Sequence, residues 1–253
     1  MKISVVTASF NSAATIEETL RSVNSQTHPD IEHIVVDGAS RDATMEIVRS
    51  LGERVAVAVS EPDRGIYDAM NKGLALATGD VVGFLNSDDV YARDDALALL
   101  AAAIERDGTD AAYGDLVFVP EDDTSRVVRY WRSRPYEPGL CARGWMPAHP
   151  TFYVRTEMYR RHGVFDLDYR YAADFEICLR LLDVGGVRAS YVPQTLVRMR
   201  MGGHSTGSVR AIARSNVESA RACRKHGLPG GPLFIARKLS RKVPELLRRP
   251  REA

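Results

Sequence analysis

The stretch VVGFLNSDDVY, residues 81–91, decides how the rest of this chain is read. Val81 to Leu85 is a continuous apolar run of strand length, and a strand apolar on both faces belongs in a parallel sheet covered on both sides. Directly after it stand Asp88 and Asp89. Adjacent carboxylates repel one another and are costly to withdraw from water, so their position at a strand end calls for a compensating charge.

Working outward, the same pattern repeats upstream. Ile3 to Ala8 reads as a strand, and Ala13 to Gln26 has helical spacing with Ile16, Leu20 and Val23 on one face. A second strand, Ile31 to Val36, is followed by a helix capped by Asp42 and running to about Leu51; a third strand, Val55 to Val59, is followed by a helix from Ile66 to Ala77. Strands alternating with helices predict an α/β fold, a mixed and mostly parallel central sheet flanked by helices. Downstream the spacing predicts a helix over Asp94 to Arg106, strands over Ala111–Val119 and Val127–Trp131, and a long loop from Arg132 to Pro150. A short strand at Thr151–Val154 follows, with helices over Thr156–His162, Asp174–Val184 and Val209–His226.

The chain has 253 residues, 45% hydrophobic and 26% charged, the composition of a globular protein with a sizeable core. A formal net charge of +1 gives no global field for nucleic acid. Three well-separated cysteines, Cys141, Cys178 and Cys223, form neither a disulfide framework nor a zinc motif and read as reduced thiols. The start, MKISVVTASFN, is not a signal peptide, and no apolar run is long enough to span a bilayer. The expected location is the cytoplasm, with peripheral attachment to the inner face of the cell membrane through the tail. From Leu233 onward there are seven Lys/Arg against two Glu, and Ile235, Leu239 and Val243 recur every fourth residue. That is a basic amphipathic segment suited to an anionic membrane surface, expected to be split into two short helices by Pro244.

Ligands of open α/β sheets bind beyond the carboxyl ends of the strands. Here those ends carry Ser9-Phe10-Asn11-Ser12, Asp37-Gly38-Ala39-Ser40, Glu61 to Gly65, and Asn86 to Asp89. Such residues favour turns in any protein, but four polar ends on one edge, one with paired carboxylates, go beyond turn chemistry. Carboxylates beside phosphate oxygens suit a hard divalent cation, Mg²⁺ or Mn²⁺. The turn after the first strand lacks glycine and no P-loop is present, which disfavours nicotinamide and Walker-type sites.

These residues resemble the family 2 glycosyltransferases of GT-A fold, in the subgroup that builds capsules, O-antigens and glycolipids. The likeness lies in ISVVTASFN, QTHPDIEHIVVDGASRDAT and DRGIYDAMNKGLALATGDVVGFLNSDD, then more weakly in HPTFYVR, GVFD and AADFEICLRL. It implies a catalytic domain over residues 1–205 and a C-terminal helical extension with a basic tail over 206–253. It assigns Thr7, Ser9, Asn11, Asp37, Arg64, Tyr67, Asn71 and Asp88 to the nucleotide sugar. Asp89, with Asp88, matches the metal motif, whose first position is here Ser87. Asp174 matches the general base, although the preceding residue is Ala173 where many relatives have Glu. Glu176, Asp166 and Asp168 are alternatives for that role.

His149 is a candidate for acceptor or phosphate contact, and His204 for the metal or a phosphate. Trp131 and Trp145 read mainly as packing residues. The resemblance further implies an inverting, metal-dependent transfer from a nucleotide-diphosphate sugar to a glycan or lipid-linked acceptor in cell-envelope synthesis. UDP is favoured, with GDP and dTDP as alternatives. The rival readings are a nucleotidyltransferase of related fold and a non-catalytic nucleotide-sugar-binding module.

Overall fold

The computed structural model describes residues 1–202 and 209–247. Its centre is one nine-stranded sheet in the order β3-β2-β1-β4-β8-β6-β9-β5, with β7 attached to β6. Strands β1 (Ile3–Ser9), β2 (Ile31–Asp37), β3 (Val55–Ser60) and β4 (Val81–Phe84) run parallel. They are joined by helices α1 (Ile16–Asn24), α2 (Thr44–Leu51) and α3 (Ile66–Leu76). β1 is buried along its whole length, its polar Ser4, Thr7 and Ser9 included, whereas β3 alternates half-buried and exposed residues because it is an edge strand. α1 starts three residues later than its apolar spacing suggests, since Ala13 to Thr15 are used in a turn in which Ser12 O accepts Thr15 N and Ile16 N.

The second half completes the sheet antiparallel and parallel in turn. β5 (Val90–Tyr91), α4 (Ala96–Asp107), β6 (Ala111–Val119) and β7 (Arg129–Trp131) come first. β8 (Tyr153–Arg155), α5 (Thr156–His162), α6 (Ala173–Cys178, continued as a π turn through Val184) and β9 (Ala189–Arg200) follow. The chain ends in α7 (Val209–Lys225) and α8 (Pro232–Leu247). β4 meets β8 antiparallel, and Gly83 makes room there: a Cβ would lie 2.2 Å from the Tyr153 ring.

Neither β5 nor the twelve-residue β9 is evident in the sequence. β9 contains Pro193, which argues against a sheet interior. The structure accommodates it in a register irregularity opposite Gly114, whose missing Cβ leaves space for Leu196 and the Gln194 carbonyl. A second correction concerns Pro244: α8 runs unbroken from Pro232 to Leu247. A proline in the last turn forfeits one backbone bond while its fixed φ still suits a helix.

Helices cover both faces. Val23 of α1 and the α4 side chains Leu97, Leu100 and Ile104 pack on one face with Leu116 and Leu196. On the other, Met70 and Leu74 of α3 join Phe84, Phe175 and Leu182. Ala220 and Cys223 of α7 and Phe234 of α8 are buried in that same cluster, so the C-terminal helices share the core beneath the sheet. All three cysteines are free and buried. No helix among the described residues is long and apolar enough to cross a membrane.

Candidate functional site

The four loops that leave the parallel strands are hydrogen-bonded into one rim. Asp37, fully buried at the end of β2, accepts Ser9 Oγ (3.1 Å), Ser40 Oγ (2.5 Å), Ser40 N (2.8 Å) and Ser60 Oγ (2.6 Å). This links the first three loops. Burial pushes the carboxyl pKa up, but the donors from Ser40, Ser60 and Ser9 outweigh it and hold Asp37 below its ordinary range. Asn11 binds the second loop twice, Oδ1 accepting Arg41 N at 3.0 Å and its own N–H donating to Ser40 Oγ at 2.7 Å. Ser12 Oγ pairs with Ser87 Oγ at 2.8 Å and closes the first loop onto the fourth. Asn11 and Ala39 both have left-handed backbones (φ 48° and 61°), strain of the kind that persists where surrounding bonds over-determine the chain.

Several residues matched to the nucleotide sugar therefore build the rim with side-chain groups that are already engaged. Thr7 is buried, and its hydroxyl pairs with His33 Nε2 at 2.8 Å between β1 and β2. Asn71 is engaged too. Its Nδ2 donates to Phe165 O and its Oδ1 accepts Phe165 N, both at 2.9 Å, which spends both ends of the amide. The Asp37 carboxylate is saturated by the four donors above, so a base N–H could reach it only by displacing one. Ser9 is buried and donates to Asp37. Arg64 lies open to solvent and pairs with Asp68 on its own turn.

The rim also presents a residue that the motif reading passed over. Phe10 is 63% exposed, high for an aromatic, and its ring lies against Gly38 together with the Asp63 carboxylate. A Cβ at Gly38 would lie 2.6 Å from Asp63 Oδ2, so any larger residue there would require the Asp63 side chain to move. An exposed aromatic face on a rigid rim is a stacking platform for a planar base.

Asp88 and Asp89 follow β4. Asp89 is 1% exposed and accepts Asn86 Nδ2 (3.1 Å) and Arg200 N (3.2 Å). Asp88 is half-buried, and its own backbone N–H donates to its carboxylate. Burial pushes both carboxyls up, and the charge of Asp88 pushes Asp89 up further. Arg200, at the end of β9 and 4% exposed, brackets the pair: its guanidinium donates to Asp88 O (2.5 Å) and Glu121 O (3.0 Å) and meets Glu18 at 2.7 Å. Its role was hidden because the strand that carries it was hidden. No group of three or more His, Cys, Asp or Glu able to hold a metal occurs among the described residues. Two hard, mutually repelling carboxylates nevertheless fit Mg²⁺ or Mn²⁺, ions that protein sites hold through one or two carboxylates plus substrate phosphates and water. His204 lies outside the described residues.

Asp174 opens α6, half-buried, with Oδ1 accepting Phe175 N at 2.8 Å. It stands in an aromatic wall. Burial and then the Asp174 charge raise the Tyr67 phenol pKa well above its ordinary value. His149 is 7% exposed, its Nε2 lacks a hydrogen-bond partner, and its ring lies 5.6 Å from Phe84 and 5.5 Å from Phe165. Burial lowers the His149 pKa while Asp174 opposes that shift. Tyr67 stacks on Phe165 at 5.6 Å, so the Asn71 clamp on Phe165 fixes the whole wall. Because Phe84 ends β4, the wall adjoins the strand that leads to Asp88 and Asp89.

Two supports behind Asp174 are absent from the motif. Glu218 of α7 accepts three successive amides, Arg170 N (3.3 Å), Tyr171 N (2.7 Å) and Ala172 N (3.0 Å). Lys238 of α8 places its ammonium 4.6 Å from the Phe175 ring centroid. Two of the alternatives for the base have engaged carboxylates. Glu176 is fully buried between Arg180 (2.8 Å) and His226 (2.7 Å), and Asp166 pairs with Lys225 at 2.5 Å. Asp168 is exposed, and its carbonyl accepts Arg221 Nη2 at 2.6 Å. Trp131 stacks on Phe118 and Trp145 packs edge-on against Tyr113, both as packing residues.

Residues 4–165 match the family described as "Glycosyl transferase family 2". A PGL/p-HBAD biosynthesis glycosyltransferase of Mycobacterium bovis is 32% identical over 189 residues, which cover 70% of this chain and 68% of that protein. Staphylococcus aureus TarS 1–349 in complex with UDP-GlcNAc superposes with a TM-score of 0.72 at 22% identity, over 96% of this chain and 72% of that one. The mannosyltransferase PcManGT of Pyrobaculum calidifontis, in complex with GDP-Man and Mn²⁺, gives 0.70 at 24% identity, over 95% and 68%. At such identities the solved structures speak for the fold alone, a GT-A fold.

Proposed function

The chain belongs to glycosyl transferase family 2, a glycosyltransferase of GT-A fold, and from that premise we propose that it moves a sugar from a nucleotide-diphosphate donor to an acceptor hydroxyl with inversion. One observation carries this reading: the half-buried Asp174 carboxylate stands against Tyr67 and His149, in a wall that adjoins the strand leading to Asp88 and Asp89. Asp174 takes the proton of the acceptor hydroxyl, whose oxygen attacks the anomeric carbon from the side opposite the leaving diphosphate. Tyr67 and buried His149 shield the base from bulk water, and the unpartnered His149 Nε2 offers the acceptor one hydrogen bond. Phe10 stacks the donor base over Gly38, and exposed Arg64 meets the diphosphate. Asp88 and Asp89 would hold Mg²⁺ or Mn²⁺, which when bound supplies a Lewis acid for charge on the leaving group.

The donor class is drawn from similar proteins, since TarS is described with UDP and UDP-GlcNAc and PcManGT with GDP-Man. UDP is the favoured nucleotide. The acceptor class proposed is a glycan or lipid-linked hydroxyl of cell-envelope synthesis, in keeping with a relative named for PGL/p-HBAD biosynthesis. The test is Asp174→Asn, assayed with labelled nucleotide sugars, divalent metal and lipid acceptors. Transfer by the native chain that is nearly abolished in the variant, with nucleotide affinity unchanged, is the expected result. Full activity in the variant removes Asp174 from the role, and pyrophosphate release by the native chain would indicate a nucleotidyltransferase.

A further inference from the structure

The outward face of α7 carries Arg210, Arg214, Val217, Arg221 and Arg224, all exposed. Spacings of three and four residues put them on one stripe, about 20 Å long. The only acid of α7, Glu218, lies on the flank of the stripe and is committed to the amides of residues 170–172. Among the described residues none of these four arginines is paired with a carboxylate. Arg221 donates to Asp168 O at 2.6 Å, Arg214 to the Tyr171 hydroxyl at 3.4 Å, and Arg224 to Gly230 O. Arg237 of α8 is exposed as well. Within this positive field two aliphatic side chains stand in water, Val217 at 59% and Leu233 at 63% exposure, beside the groove in which α7 meets α8.

Crowded like charges and exposed aliphatic tips are each unfavourable in water. At an anionic bilayer both become favourable, with guanidinium groups on phosphates and apolar tips below the headgroups. Nucleic acid fits less well. The tyrosines beside the stripe, Tyr169 and Tyr171, already lie against Arg221 and Arg214, and an aliphatic residue occupies its middle.

We propose that the outward faces of α7 and α8 form a docking surface for an anionic lipid bilayer, with the five arginines meeting lipid phosphates and Val217 and Leu233 inserting beneath them. The inward side of α7 holds the segment that leads to Asp174. Docking through α7 therefore brings the bilayer beside the base, where a lipid-borne acceptor is presented. Only that last step rests on the transferase reading.

The test is cosedimentation of the full chain with vesicles of phosphatidylcholine alone or mixed with phosphatidylglycerol, without sugar donor, so that its outcome is separate from any transfer assay. Binding to the anionic vesicles is expected to be at least about tenfold tighter than to the neutral ones and to weaken as salt is raised. The double variant Val217→Asp, Leu233→Asp is expected to lose about tenfold in anionic-vesicle binding. Its melting midpoint should not move, because both side chains are already exposed. Arg210→Glu, remote from the Asp174 wall, is expected to weaken binding in the same direction. Equal binding to both vesicle types, no binding, or native-like binding by the double variant overturns the proposal. So does tighter binding to a DNA oligonucleotide than to anionic vesicles.

Discussion

Glu218 accepts the backbone N–H of Ala172 at 3.0 Å, two residues before Asp174, and thereby ties a helix beyond the family motif to the candidate base. Replacing it with Ala strips three successive amides of a charged acceptor, a loss of about 1–3 kcal/mol if they go unpaired. The expected kinetic result is a fall in kcat of about tenfold or more with donor KM within about twofold, because the base is displaced while the donor rim is untouched. Glu218→Gln, which keeps one acceptor oxygen, should fall between. Initial rates against donor concentration check this, and a change confined to KM would contradict it.

Asn71 makes a matching prediction from the other side of the wall. Asn71→Ala leaves both backbone groups of Phe165 unpaired and frees the ring on which Tyr67 stacks. Urea unfolding should show a loss of about 2–3 kcal/mol, and transfer activity should drop together with it. Loss of nucleotide affinity with native stability would instead restore Asn71 as a ligand contact.

These two residues show how far the sequence could be read. The alternation of strands and helices, the four polar strand ends and the Asp88–Asp89 pair locate the rim from residues alone. Which rim residues face outward does not follow from the same letters. Serine, asparagine and aspartate bind one another as readily as they bind a ligand, and in Asp37, Ser9, Asn11 and Asn71 the protein partners are already present. Strand β9 was concealed by Pro193, and with it Arg200; Glu218 gave no signal because its partners are backbone amides 46 to 48 residues away. Phe10 stands among polar loop residues in the sequence, and only its exposure sets it apart.

The carboxylate pair should show a trade of stability for binding. Asp88→Asn removes the charge that pushes Asp89 up and should stabilise the metal-free chain by up to about 1 kcal/mol. In native protein, Mn²⁺ with UDP should raise the melting temperature, since a ligand bound only by the folded form stabilises it. In the variant that rise should largely vanish. A thermal-shift panel reads both effects, and an undiminished rise in the variant would dissociate Asp88 from the metal.

Two neighbours in β2 contribute to acid stability. Burial lowers the pKa of His33 from 6.5 to about 4. Burial pushes Glu32 up, but donors from Lys2, Ser4 and Thr78 prevail and bring it from 4.5 to about 2. Both folded values lie below the unfolded ones, so the unfolded chain binds more protons in acid. Stability should be complete above about pH 6.5, decline by up to about 3 kcal/mol as His33 passes from 6.5 to 4, and decline again through the Glu32 window from 4.5 to 2. Denaturant midpoints across pH for native protein and His33→Gln test the first step, which should be reduced in the variant, with His149 still contributing to it.

The parallel pairing of β6 with β9 joins residues 111–119 to 189–200, nearly eighty positions apart. Contacts that distant are slow to form, because the intervening chain must first be gathered in. Until β9 arrives, β6 keeps one side bare, and an unprotected strand of that length invites pairing between separate molecules. Truncated fragments that stop short of Ala189 are therefore expected to aggregate during refolding, although they include the most recognisable part of the sequence.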